Sequence, residues 1–136
     1  MSYGVAVALQ AAVYQQLVDD VPLDALIGDA VYDELPSGVI PATYVTLGPE
    51  TVVDRSDKSS GGAVHRFVVS VVSDVAGFAT PKAVAVAVSD ALHNADLGLA
   101  RGQLVSLVFE RATATREDAA NLRRVDLRFA ARVDDQ

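Results

Sequence analysis

The side chains able to do chemistry are few in this chain, and they are scattered. Its two histidines, His65 and His93, are isolated in sequence, so neither belongs to a cluster that would hold a metal ion. His93 closes a helical stretch, where a histidine meets the last carbonyls of the helix. His65 precedes a strand and is read as structural, the alternative being a partner contact beside a polar loop. Asp19-Asp20, Asp33-Glu34 and Asp134-Asp135 are carboxylate pairs. Adjacent residues point in different directions on a helix or strand, so these pairs make no acid/base dyad and read as solvated charge. Ser70, Ser89 and Ser106 sit in no nucleophile-elbow motif, and Gly61-Gly62 has no phosphate-loop or dinucleotide fingerprint around it. The expectation is a chain with no catalytic residue, no metal and no cofactor, and hence not an enzyme.

Composition narrows the class further. A length of 136 residues suits one domain with a single substantial core, and 51% hydrophobic with 21% charged residues is a globular balance. The absence of cysteine excludes a disulfide framework, a thiolate nucleophile and a cysteine-based zinc site. A formal net charge of -7 repels the phosphate backbone and disfavours nucleic-acid binding, although a repelling wall suits a channel through which DNA must slide. The start Met1-Ser2-Tyr3-Gly4 does not resemble a signal peptide, and no apolar run approaches the ~18 residues that cross a bilayer. Synthesis and folding in the cytoplasm are expected, without membrane contact.

The elements that must carry these residues follow from periodicity. From Tyr3 to about Asp20, Val5, Leu9, Ala12, Val13 and Leu17 recur at helical spacing, with Ser2 placed to cap the helix and Pro22 to end it. Leu23 to Ile27 reads as a short helical turn closed by Gly28. The prolines and glycine of Leu35 to Pro41 mark a loop leading to a short strand, Thr43 to Leu47, that ends at Gly48-Pro49. Glu50 to Gly62 is polar and of mixed charge and reads as an exposed loop. Val64 to Asp74 alternates as a long strand with Phe67, Val69 and Val71 on one face. Thr80-Pro81 opens a second helix, whose stripe of Val84, Ala87, Val88, Ala91 and Leu92 is small enough to bring its axis close to a sheet. Leu104 to Thr115 reads as a strand with Val105, Leu107 and Phe109 on one face. In the last strand Val125, Leu127, Phe129, Ala131 and Val133 alternate with Arg124, Asp126, Arg128, Ala130 and Arg132, the pattern of an antiparallel strand with one buried and one wet face. The implied fold is one α+β domain over residues 1–136, a mostly antiparallel sheet flanked by two main helices.

The wet face of that last strand carries Arg124, Arg128 and Arg132 around Asp126 on an otherwise acidic chain. Such a stripe either blunts an edge strand against aggregation or pairs with acidic residues of a neighbouring subunit. Val68 and Val72, opposite Phe67 and Val71, point to a second buried face covered by a helix or another chain.

The order and spacing of several short motifs resemble the tail-terminator, or tail-completion, proteins of long-tailed phages, most closely the tail terminator of alphaproteobacterial gene transfer agents. They are Ser2-Tyr3-Gly4-Val5-Ala6, Tyr32-Asp33-Glu34-Leu35-Pro36, Pro41 through Gly48, Asp54-Arg55-Ser56-Asp57, Asp90-Ala91-Leu92-His93 and the arginine-rich final strand. The resemblance implies a structural virion protein. Its copies would form a hexameric ring that caps the tail tube, joins it to the head through neck proteins and lets DNA pass through the lumen without specific binding. It would reside at the neck-tail junction of a virion or gene transfer agent particle. Cyclic symmetry then demands two different, complementary patches on each chain. The residues placed at partner contacts are Asp54, Arg55, Asp57 and Lys58 of the polar loop, and Arg124, Arg128 and Arg132. A head-completion or neck protein is the alternative within the structural class, and a small-ligand-binding α+β module the alternative outside it.

Overall fold

A computed structural model describes residues 3–58 and 61–135, and the expected cap Ser2 lies outside them. The chain runs through a 3-10 turn (Tyr3–Val5), α1 (Ala6–Asp19), α2 (Val21–Ile27), β1 (Val31–Tyr32), β2 (Thr43–Asp54), β3 (Gly62–Ser73), α3 (Ala79–Leu92), β4 (Gln103–Glu117) and β5 (Leu122–Asp134). The strands form a five-stranded sheet of order β1-β2-β3-β5-β4, antiparallel throughout except for the short parallel β1–β2 pair. This is the expected α+β class.

All three helices contribute to one layer. The α1 stripe buries Ala8, Leu9, Val13 and Leu17, and α3 buries Val84, Ala87, Val88, Ala91 and Leu92 among its small residues. Gln16 of α1 donates from Nε2 to the Ala91 carbonyl of α3 at 2.9 Å, tying the two helices. Between α1 and α2 the chain turns at Asp20, whose extended backbone (ψ 119) breaks the helix and whose carboxylate accepts from Leu23 N at 3.0 Å. Pro22 therefore lies inside the first turn of α2, which begins at Val21 and not at Leu23. Likewise α3 starts at Ala79, so Thr80 stands within the helix instead of capping it.

Phe67, Phe129 and Phe109 lie in register across β3, β5 and β4 on the helix-facing side. The first two rings stack at 5.7 Å between centroids, and the last two meet edge-on at 5.9 Å. This aromatic row runs from the core at Phe67 and Phe129 to the partly exposed Phe109 on β4.

Two strands depart from their expected form. β2 does not end at Gly48-Pro49: a register shift between Leu47 and Glu50 absorbs one extra residue, and pairing with β3 resumes through Asp54. Proline is tolerated at such a bulge because the ladder is already interrupted there. Glu50 to Asp54 is therefore strand and not loop. In β4 two further shifts, between Leu104 and Ser106 and between Phe109 and Arg111, reset the alternation. Val105 falls at the first and is 54% exposed, so it does not share the inner face with Leu107 and Phe109.

Candidate partner-contact surfaces

The helices cover one face of the sheet, and among the described residues no element covers the other. Along β5 the residues Val125, Leu127, Phe129, Ala131 and Val133 turn inward and are buried. Their neighbours Arg124, Asp126, Arg128, Ala130 and Arg132 occupy the open face, in register with Val72, Ser70, Val68, Arg66 and Val64 of β3. The expected arginine stripe is therefore real and lies on a central strand of the sheet, since β4 pairs on its far side. Blunting of an edge strand is thereby excluded as its role.

Most of this stripe is engaged within the chain. Arg124 Nε donates to Asp126 Oδ1 at 3.0 Å, and the Ser70 hydroxyl donates to the same oxygen at 2.6 Å. Arg66 Nε donates to Glu110 Oε1 at 3.1 Å, and Arg128 Nε approaches that oxygen at 3.2 Å without hydrogen-bond alignment. Glu110, at the second β4 bulge, thus sits between two guanidinium groups. Arg132 is exposed near the end of the same face.

The polar turn is shorter than the sequence implies. Asp54 is the last residue of β2, and its Oδ1 accepts from Ser56 N at 3.2 Å and from the Ser56 hydroxyl at 2.6 Å, closing a local turn. Arg55 N bonds to the Gly62 carbonyl at 2.8 Å, and Arg55, Asp57 and Lys58 are exposed. Register places Val53, Val64 and Arg132 in one row, so the turn and Arg132 share one end of the sheet. Arg124 pairs across to Val72, at the opposite end.

Two concavities flank the sheet edges. Between α1 and the β1–β2 edge lies an open cleft of about 560 Å³ lined by Tyr14, Tyr32, Asp33, Glu34 and Glu50, among others. Between α3 and β4 lies a more apolar groove of about 350 Å³. Neither was visible in sequence, because each is assembled from segments far apart in the chain.

Neither histidine occupies a concavity with a second ligating group. His65 is fully buried, which excludes the partner contact considered for it, and its Nδ1 lies 3.1 Å from Glu50 Oε2. His93 caps the end of α3, its backbone N donating to the Ser89 carbonyl at 2.8 Å, and its side-chain Nδ1 accepts from Phe109 N at 3.0 Å, so it also joins the end of α3 to β4. No group of three or more His, Asp or Glu residues able to hold a metal occurs among the described residues. No helix among them is long and apolar enough to cross a membrane. Near the sheet end that carries Gly62, Arg101 donates from Nε and Nη2 to the two Asp135 oxygens at 3.1 and 2.8 Å, which holds the Asp135 carboxyl below its ordinary range.

A profile of the tail completion protein gp17 family matches residues 11–134. No curated protein matches the chain significantly. Among solved structures, a chain from a particle described as "Virion of native gene transfer agent (GTA) particle" is 62% identical, covers 98% of this chain and 99% of its own length, and superposes with a TM-score of 0.94. The expected resemblance is borne out: with the profile spanning nearly the whole sheet and helix layer, this chain belongs to the tail completion protein gp17 family.

Proposed function

We propose that this chain is a structural component of a gene transfer agent or phage-like particle, where it forms a hexameric ring that ends the tail tube and joins it to the neck. The observation that carries this reading is the 62% identity, over nearly full length, to a chain of a gene transfer agent virion, together with the tail-completion family match. The two chains share the fold, superposing with a TM-score of 0.94. The role is steric and interfacial and not enzymatic. One surface of the ring copies the contact by which tube subunits stack, and the other lacks it, so polymerisation stops and neck proteins dock. The net charge of -7 suits a lumen that DNA crosses without sticking.

The contact surfaces in this reading are the Asp54–Lys58 turn and the open sheet face bearing Arg124, Arg128 and Arg132. Their support is geometric: the turn protrudes at one sheet end beside the exposed Arg132, and the face is uncovered in the single chain. Light scattering on the purified protein, alone and with its tail tube protein, tests the ring. A mass near that of a hexamer in either sample is the expected outcome. A monomer or dimer indifferent to the tube protein would move the assignment to a neck protein or a ligand-binding module.

The arginine face has its own test. Arg128→Glu would place a second carboxylate beside Glu110 and reverse the local field. The expected result is loss of tail attachment by particles carrying the variant, and intact attachment would remove this face from the contact.

A further inference from the structure

Charge is divided unevenly along the chain. All Lys, Arg and His residues lie after Asp54, so the segment from the N-terminus through β2 carries carboxylates and no basic side chain. In the fold that segment builds α1, α2 and the β1–β2 side of the sheet, while the opposite edge is β4. The sheet is thus acidic at one edge and carries its cations toward the other.

Each edge also exposes apolar surface of matching form. Beside β1, every residue from Asp33 to Ile40 is exposed. Within this stretch Val39 is 96% and Ile40 44% exposed, and Pro36 and Pro41 restrict the backbone around them. Proline lowers the entropy lost when such a segment docks. At the β4 edge, the groove between α3 and the sheet exposes Val86 (59%) and Phe109 (37%), with Ala112 and Ala114 along its floor. Leu35 to Pro41 spans about 20 Å when extended, and the groove floor from Phe109 to Ala114 runs about 17 Å, at about 3.3 Å per residue step. Lys82 lines the groove, held over the Phe78 ring at 5.6 Å instead of on a carboxylate.

We propose that these two edges are the complementary halves of the contact between copies: the Asp33–Pro41 segment of one chain docks in the α3–β4 groove of the next. Val39 and Ile40 bury against the groove, and Asp33 and Glu34 approach Lys82. The patches sit on opposite edges of one sheet and are different from each other, which is what a head-to-tail, ring-closing contact requires. The inference rests on the ring reading above and adds the surfaces that build it.

The test uses Val39→Asp and Val86→Asp, two exposed positions whose substitution leaves the core intact, with circular dichroism confirming the fold. Each variant spoils one patch and keeps the other. Light scattering at high protein concentration is expected to show wild type as a ring, each variant alone as a monomer, and their equimolar mixture as a one-to-one dimer joined through the two intact patches. If wild type forms rings and either variant does too, or the mixture stays monomeric, the docking contact is wrong and the ring stands. If wild type stays monomeric even with tube protein, the ring reading fails and this contact with it.

Discussion

At the scale of single residues, the polar groups of this chain hold the fold together. His65 is buried with Nδ1 on Glu50 Oε2, while its Nε2 has no hydrogen-bond partner among the described residues. Glu50→Ala would strip the ring of that partner, and urea unfolding should then show a loss of about 1–3 kcal/mol, the cost of leaving a buried polar atom unsatisfied. Asp135 makes a pH-dependent contribution. Its carboxyl is held low because Arg101 donates to it, so the folded state favours the ionised form. The stabilisation is complete above the ordinary aspartate value of about 3.9 and fades as pH falls through the lower folded value. Thermal melts of wild type and Asp135→Asn should differ by a constant amount at neutral pH and converge below about pH 4. His65 was legible in sequence as structural, but its partner was not. Glu50 lies on the far side of a bulge that returns it to the helix-facing side of β2, and alternation counted along the chain misses it.

At the scale of elements, small side chains and bulges decide how the layers meet. α3 approaches the sheet on Val84, Ala87, Val88 and Ala91, all buried. Enlarging one of them, as in Ala87→Leu, should cost about 1–3 kcal/mol by overpacking, read as a lower denaturation midpoint with unchanged slope. Phe129 touches the rings of both Phe67 and Phe109. Truncation to alanine should therefore cost about 3–5 kcal/mol, a loss large enough to show as poor expression. The helices were legible because a stripe of period 3.6 persists over fourteen residues in both α1 and α3. β5 was legible for the corresponding reason at period 2. β4 was only half so: its two bulges each shift the phase, so Val105 reads as inward and emerges outward.

At the scale of the whole molecule, one face of the sheet is packed and the other is open, and the ends of the strand order differ in charge and shape. Central strands β3 and β5 are paired on both sides, whereas β4 has a free edge along its length. Hydrogen exchange on the free chain should therefore find the slowest amides in β3 and β5 and faster exchange in the outer half of β4. If β4 is covered in an assembled ring, its protection should rise there. The sequence by itself determined the α+β class, the helices, the amphipathic last strand, the lack of a recognisable catalytic motif and, through the order of its motifs, the tail-completion family. These depend on local period, composition and chain order, which a linear string contains. Only the tertiary structure decided that Arg124 and Arg128 are held by Asp126 and Glu110, that Glu50 belongs with His65, and that an apolar groove opens beside β4. Those facts depend on which strands are neighbours and in what register, and register is set by packing across the whole sheet, not by any one segment.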